Sequence, residues 1–334
     1  MDQARIRNLN GFLRQIFCTK VHKIGLWGGF TCPNRDGSAG TGGCSFCNPA
    51  GSRPMTFKDG MSIKEQLEAG SRYVAARYKV DSFIAYFQDY STTYSDPDKL
   101  RELYSIALAF PEVVGLTLCT RPDCLSAPTL DLLEELSEKT FLWVELGVQT
   151  SNDRILADMN RCHTSKDSLA AMRELHSRNI LTTAQMIIGY PDSSDEDILY
   201  DAEFIRSTGT SGLKLQNLHV LKDTAIERMY LNKEFDVMTL EQYIDRVIVF
   251  LEYTDPHVVI QRLTGEAHHT LTVAPKWSLN KQLVMNGIQH VLEERDTWQG
   301  KKLGYPRTVL DTPFKNVRTH WNLDWRVAGN TCST

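Results

Sequence analysis

Three cysteines near the start of the chain are close enough in sequence to form one metal-binding loop. The loop runs from Cys32 to Cys47, with Cys44 between them. Four glycines separate the first cysteine from the second: Gly37, Gly40, Gly42 and Gly43. Thiolates are soft ligands that suit iron–sulfur clusters, and glycines let the backbone wrap closely around a bulky inorganic group. The spacing therefore predicts a [4Fe–4S] cluster whose fourth iron has no protein ligand.

Two other uses of these cysteines remain open at the level of sequence. A structural zinc ion usually takes four ligands, so a fourth would have to come from elsewhere in the chain. The candidates for that ligand are Cys18, His22, Cys119 and Cys124. Cys44 and Cys47 also form a C-x-x-C pair, which alone is compatible with a redox disulfide.

Composition indicates a folded protein with reduced thiols. The chain has 334 residues, of which 42% are hydrophobic, and its eight cysteines are unevenly spaced. No apolar run approaches the roughly 20 residues needed to cross a bilayer, and the N-terminus lacks the apolar core of a signal peptide. We therefore expect a cytoplasmic protein without a membrane partner, in which clustered cysteines bind metal.

Charge is distributed unevenly along the chain. The net charge is −4, but residues 1–60 carry eight Lys or Arg against three Asp or Glu, and residues 300–334 carry six against two. The two ends could thus present basic surface around an acidic body, or the pattern could be ordinary solvated charge.

The elements that must position the cysteine loop follow from hydrophobic periodicity. Short β-branched or aromatic runs alternate with amphipathic stretches, the pattern of repeated βα units around a parallel sheet. Strands are predicted at 21–27, 83–87, 113–119, 142–147, 182–188 and 212–218. Helices are predicted between them at 63–78, 98–109, 129–138, 165–177 and 196–208. The fold class is therefore α/β, a partial (β/α)6 TIM-like barrel, and the cysteine loop follows its first strand, where such barrels place active sites.

Four segments are predicted. Residues 1–20 form an N-terminal helical segment, 21–235 the partial barrel, 236–310 a C-terminal α/β extension and 311–334 a poorly defined tail. The extension is predicted to contain helices at 240–253 and 280–294 and a strand at 258–262.

The loop resembles the radical S-adenosylmethionine (SAM) superfamily. Its Cys-Ser-Phe-Cys ending, residues 44–47, matches the end of that family's usual C-x3-C-x2-C motif, but the gap after Cys32 is longer. The longer gap resembles the subgroup that contains the Elongator catalytic subunit. The stretches VHK at 21–23, GGFTCPNRDG at 28–37 and GGC at 42–44 are similar to the small bacterial YhcC/YtqA-type proteins, and the resemblance covers roughly residues 10–307.

The resemblance implies a set of SAM-binding residues. Glu145 and Gln149 lie at i and i+4 on one predicted strand face, where both can address ribose or the methionine end of SAM. Glu145 could instead belong to a structural ion pair. Arg161 would hold the SAM carboxylate, with His163 a secondary candidate. The remaining implied contacts are the backbone around Gln88, the side chain of Gln185 and the Ile188 backbone. On the sixth predicted strand, Lys214 or His219 could contact SAM or substrate, or could simply form a polar strand face.

The implied reaction is reductive cleavage of SAM to a 5′-deoxyadenosyl radical, with the electron supplied by an external donor such as flavodoxin or ferredoxin. The Elongator-like resemblance favours tRNA wobble-uridine modification. Possible tRNA contacts are Arg5, Arg7, Arg14, Lys276, Trp277 and Lys281. The alternatives are radical chemistry on a small metabolite or a peptide, and an iron–sulfur redox sensor that binds no SAM.

Overall fold

The computed structural model of the chain describes residues 4–48, 51, 53–54 and 56–313. Most of the tail expected at 311–334 lies outside the described residues. The predicted alternation of strands and helices is confirmed. The strands are β1 (Val21–Leu26), β2 (Ser82–Phe87), β3 (Val113–Thr120), β4 (Phe141–Gln149), β5 (Leu181–Ile188), β6 (Gly212–Asn217), β7 (Val220–Leu221), β8 (Val259–Arg262) and β9 (Thr272–Ala274).

The helices begin at residues whose side chains accept hydrogen bonds from the first turn. Ser62, for example, forms a reciprocal capping box with Glu65 at the start of α2. The helices are α1 (Leu9–Phe17), α2 (Ile63–Tyr78), α3 (Pro97–Leu108), α4 (Ala127–Lys139), α5 (Asp153–Asp158), α6 (Ser165–Ser177), α7 (Asp195–Ser207), α8 (Ala225–Leu231), α9 (Leu240–Glu252) and α10 (Lys281–Glu294).

The main sheet has seven parallel strands, in the order β1-β2-β3-β4-β5-β6-β8. The predicted α/β partial barrel is confirmed, with one strand more than the six predicted. β8 was expected within the extension, but Leu213 of β6 lies beside Ile260 of β8 in the sheet. The outer edge of β8 meets the N-terminal segment, where the Ile260 amide donates to the Arg7 carbonyl at 2.7 Å.

The N-terminal helix closes one end of the curved sheet. The buried face of α1, formed by Phe12, Leu13, Ile16 and Phe17, packs against residues near the starts of several strands. Phe12 contacts the Trp143 ring edge-on at 5.2 Å. This end of the barrel is therefore filled with apolar side chains, while its other end, where the strands finish, carries polar side chains.

The outer helices bury the opposite face of the sheet. α2 to α4, α6, α7, α9 and α10 contribute to one continuous hydrophobic core with the outward-facing residues of the strands. β7 and β9 form a separate two-stranded antiparallel ribbon. Within the described residues, no helix is long and apolar enough to cross a membrane.

Candidate active site

The cysteine loop leaves β1 at the polar end of the barrel. Gly42 and Gly43 precede Cys44 with φ angles of 79° and 77°, a left-handed conformation that glycine adopts without strain. Gly40 approaches its neighbours closely, since a Cβ there would lie 2.3 Å from the Asn34 side-chain oxygen. Wrapping of this loop around a cluster stays a prediction.

Asn34 and Asn160 fasten this loop to the connection between α5 and α6. Asn34 is fully buried and donates to the Asn160 carbonyl, and the Asn160 side chain donates to the Gly43 carbonyl at 2.8 Å. Cys162 follows with φ 57°. This is a left-handed backbone conformation, which glycine adopts more readily than cysteine.

Cationic and amide groups surround the loop thiols. Arg161 Nη1 lies 3.3 Å from Cys44 Sγ, and Arg35 Nη2 lies 3.3 Å from Cys47 Sγ. Burial raises the pKa of Cys44, but the charges of Arg161 and Arg121 outweigh burial and hold that pKa below its usual value. The sequence thus supplies a pocket in which a Cys44 thiolate is stabilised.

Cys47 shows why a metal centre fits this pocket. Burial raises the pKa of Cys47, and the charges of Cys44 and Cys32 raise it further against the opposing effect of Arg35. A bound cationic centre would favour the deprotonated form of Cys47. In the described part of the chain, no three His, Cys, Asp or Glu side chains converge as ligands of a single ion. In an iron–sulfur cluster each thiolate binds a different iron, so the three cysteines need not converge on one point.

A cavity of about 300 Å³ opens beside Cys47 at the carboxyl ends of the strands. It brings together several residues named from the sequence: Gln88, whose backbone was implied, and Gln149, Arg161, Gln185 and His219 line it. Other lining residues were not assigned to SAM from the sequence: Tyr86, Tyr90, Cys119, Arg121, Gln216, Asn217 and Arg262.

Gln149 and Arg161 present polar atoms without partners among the described residues. Gln149 has φ 74° at a register shift in β4, and its buried Oε1 accepts no hydrogen bond. Arg161 Nη2 donates to the Gly147 carbonyl at 2.5 Å, and its buried Nε has no acceptor. The side chains of Gln149 and Arg161 both lie next to Gly147, so two polar groups without partners stand in one region.

Glu145 lies beneath the cavity and is fully buried. Its carboxylate accepts from Lys23 Nζ at 2.8 Å, from Tyr86 Oη at 2.9 Å and from Gln185 Nε2 at 3.0 Å. It also pairs with Lys214. Burial would raise the pKa of Glu145, but the charges of Lys214 and Lys23 hold it well below its usual value. We call Lys23, Tyr86, Glu145, Gln185 and Lys214 the floor of the cavity.

Comparison with known proteins places this site in a family. The family model of the radical SAM superfamily matches residues 35–205, and its C-terminal domain model matches 210–294. YtqA of Bacillus subtilis is 34% identical over 90% of this chain and 93% of its own length. The chain belongs to the radical SAM superfamily. The predicted YhcC/YtqA-type relationship is thereby confirmed.

Two further comparisons extend the relationship. The archaeal Elp3 of Methanocaldococcus infernus superposes with a TM-score of 0.65 at 17% identity, over 84% of this chain and 64% of Elp3. A protein of Archaeoglobus fulgidus named a probable threonylcarbamoyladenosine tRNA methylthiotransferase is 26% identical over 56% of this chain and 45% of its own length. The first likeness shows the shared fold, and the second covers only part of each protein.

As a radical SAM enzyme, the chain uses a [4Fe–4S] cluster and SAM. When bound, the cluster would supply an electron to SAM, and SAM would provide the radical chemistry of the family. The chain's own contribution is positional. Cys32, Cys44 and Cys47 would hold the cluster, and Arg161 and Gln149 offer hydrogen bonds beside it. The floor holds Gln185 in place and supplies fixed charges beneath the cavity.

Three residues that the sequence assigned to SAM are placed differently from the rest. Glu145 and Lys214 do not line the cavity and instead neutralise each other, which matches the ion-pair alternative for Glu145. The Ile188 side chain packs in the outer core, while Ile187 faces the cavity, because neighbouring strand residues point to opposite faces. The role of the Ile188 backbone beside adenine stays a prediction.

Most of the residues suggested as tRNA contacts have other partners. Arg7 is buried and donates to the carbonyls of Pro256, Val309 and Thr312, so it fastens the N-terminus to the body. Arg5 pairs with Asp296. In the extension, Trp277 Nε1 donates to the Met238 carbonyl at 2.9 Å. Lys276 donates to the Thr272 carbonyl, and Lys281 pairs with Glu266.

Proposed function

We propose that this radical SAM enzyme modifies tRNA, at the wobble uridine of the anticodon. The proposal draws on the relationship to a tRNA methylthiotransferase and on the Elp3-like fold. With Arg5, Arg7 and Trp277 engaged in packing, the affinity for RNA must come from other surfaces. One such surface borders the cavity.

The observation that carries the proposal is a cluster of aromatic rings and arginine beside the cavity. Tyr90 lines the cavity and meets the Trp27 ring edge-on at 5.8 Å. Phe57 lies 5.7 Å from Trp27, and the Arg53 guanidinium lies 4.7 Å from the same ring. Arg35 stands 5.0 Å from the Tyr90 ring. Half-buried aromatic rings with arginines next to them suit the stacking of unpaired bases and the binding of phosphates.

Binding of purified tRNA tests this surface. Affinity should fall with salt by roughly 0.7–0.9 log unit per log unit of salt for each phosphate contacted. Arg53→Gln should weaken binding and lower that slope, and Trp27→Ala should cost about 1–3 kcal/mol if one base stacks there. Lys301→Gln is the matched control, because Lys301 also stands over a tryptophan, Trp298, at 4.8 Å.

The cellular test compares nucleosides of tRNA from cells with and without the gene. Loss of a modified wobble uridine, restored by the wild-type gene but not by Cys44→Ala, would support the proposal. Identical nucleoside profiles together with salt-insensitive binding would instead favour a small metabolite or peptide substrate. An external donor of the flavodoxin or ferredoxin class remains part of the proposal and is tested by supplying each protein in place of a chemical reductant.

A further inference from the structure

Arg262 places a guanidinium in the cavity with few partners of its own. It stands on β8, the seventh strand, and lines the cavity together with Gln216. Its Nη2 donates to the Gln216 side-chain oxygen, and among the described residues it makes no other hydrogen bond and no ion pair. Its Nε is buried without an acceptor. A buried donor of this kind costs free energy unless a ligand supplies the acceptor.

The charges around Arg262 leave an excess of positive charge. Glu145 is the one acid of the floor, and it already faces two cations, Lys23 and Lys214. Glu266 also lines the cavity, but it pairs with Lys281. No carboxylate within the described residues therefore compensates Arg262. An excess cation next to low-dielectric walls favours an anionic ligand.

His219 adds a neutral polar group to the same side of the cavity. Burial, and after it the charge of Arg262, lowers the pKa of His219 to about 4. The neutral ring directs Nδ1 toward the Ser278 hydroxyl at 3.4 Å, and Nε2 is buried next to the backbone of Gly265. A neutral imidazole nitrogen can hydrogen-bond a ligand without adding to the charge.

This side of the cavity is separate from the side next to the cysteines. Arg161 follows α5, between β4 and β5, and contacts the Cys44 thiol. Arg262 stands on β8, with β5 and β6 between that strand and β4. The Arg161 guanidinium therefore lies beside the cysteine loop, whereas that of Arg262 lies at the side of the cavity formed by β6 and β8.

We propose that Arg262, Gln216 and His219 form a substrate subsite that binds an anionic group, a carboxylate or a phosphate. The subsite would hold the substrate by this group, while its reactive carbon faces the part of the cavity next to the cysteine loop. A guanidinium matches both anions because its planar N–H groups can donate two parallel hydrogen bonds. The inference rests on the proposed use of the cavity for substrate, and it does not require that the substrate be tRNA.

Anion titration of the anaerobically reconstituted enzyme, saturated with SAM and without reductant, tests the subsite. Malonate and inorganic phosphate serve as probes, and chloride at matched ionic strength is the reference. We expect saturable binding of malonate or phosphate that is weakened tenfold or more in Arg262→Gln. Arg262→Lys should weaken it less, because lysine keeps the charge but loses the paired N–H donors of the guanidinium. A preference for malonate indicates a carboxylate substrate, and a preference for phosphate indicates a phosphate ester.

Arg154→Gln is the matched control, since Arg154 is an exposed arginine of α5 and should leave anion binding unchanged. SAM affinity should stay within twofold of wild type in Arg262→Gln. The proposal is overturned if the wild type binds neither probe better than chloride, or if Arg262→Gln binds them equally well. It is also overturned if Arg262→Gln loses SAM affinity tenfold, which would assign the guanidinium to SAM. Failure of tRNA binding would remove the proposed tRNA substrate and leave the anion result standing.

Discussion

The polar groups in the floor of the cavity bond one another, whereas some of those at its rim lack partners among the described residues. We define the rim as the three loop cysteines, Arg161 and Gln149. In the floor, Glu145 is bonded by both lysines, Tyr86 and Gln185. In the rim, Gln149 Oε1 and Arg161 Nε have no partner within the described residues. Groups that already bond each other set shape and charge, while groups left without partners are available to ligands.

The largest expected difference between the two regions concerns the cysteines. Cys44→Ala, like Cys32→Ala or Cys47→Ala, should abolish both the cluster and SAM cleavage, because each removes one of three iron ligands. Cys119→Ala is the control, since Cys119 contacts Glu145 and Tyr86 in the floor and is no part of the loop. Iron content and 5′-deoxyadenosine formation measure the outcome. If Cys119→Ala lost the cluster to the same extent, the assignment of the cluster to the loop cysteines, separate from the floor, would be contradicted.

Removing the floor carboxylate should cost stability. Glu145→Ala leaves two buried lysines without their shared partner, and breaking a buried ion pair typically costs about 3–5 kcal/mol. Urea unfolding of the cluster-free protein, followed by circular dichroism, measures the free energy of unfolding. Glu135→Ala provides the comparison, because Glu135 pairs with Arg101 and Lys139 at the surface, where such pairs contribute at most about 1 kcal/mol. Equal losses in both variants would show that the floor is not a stabilising unit.

Substitutions of the rim residues Gln149 and Arg161 should distinguish an effect on SAM binding alone from an effect on both SAM and cluster binding. Gln149→Ala should weaken SAM by about tenfold or more, the cost of a lost hydrogen bond to a charged ligand, with the cluster intact. Arg161→Ala should weaken SAM and also lower cluster occupancy, because Arg161 contacts the Cys44 thiolate. Anaerobic SAM titration and the iron–sulfur absorbance measure the two effects. Unchanged SAM affinity in both variants would remove these residues from the SAM pocket.

The rim could be predicted from the sequence because its signals are local. The cysteine loop with its glycines and the stretch containing Gln149 are each a short continuous segment of the chain, and hydrophobic periodicity placed the loop after β1. Lys23 belongs to the VHK stretch of the family resemblance, but nothing in the sequence pairs it with Glu145. It lies in the middle of a predicted strand, and only the curvature of the sheet brings it to Glu145 of β4. The floor therefore could not be distinguished from a SAM contact by sequence alone.

The roles of the basic ends of the chain and of β8 also depend on partners that are distant in sequence. Arg7 is a single arginine in a basic segment, and its three backbone acceptors come from residues 256, 309 and 312. Such long-range partners leave no local pattern. β8 was predicted as a strand, but its pairing with β6 depends on how the intervening helices α8 and α9 return the chain to the sheet. Arg262, which β8 carries into the cavity, was missed for that reason.

The smallest expected effect compares Glu145 with a buried carboxylate that has no cation. Asp201 is 4% exposed and accepts from neutral donors, the Ser151 amide and hydroxyl and the Thr150 hydroxyl. Burial therefore raises the pKa of Asp201 to about 6, above the roughly 3.9 of an unfolded chain. Between these values the folded state binds the proton more tightly, so the stability that Asp201 contributes at low pH is lost as pH rises through 6. This loss should amount to roughly 1.4 kcal/mol between pH 5 and 7.

Asp201→Asn keeps the accepting oxygen and should remove that part of the pH dependence, whereas Asp245→Asn, at an exposed position, should not. Asp89, whose pKa burial likewise raises to about 6, should retain its own share in both variants. Urea unfolding at pH 5, 6 and 7 measures the difference, and an unchanged pH dependence in Asp201→Asn would mean that the neutral donors fully offset the effect of burial on the pKa of Asp201.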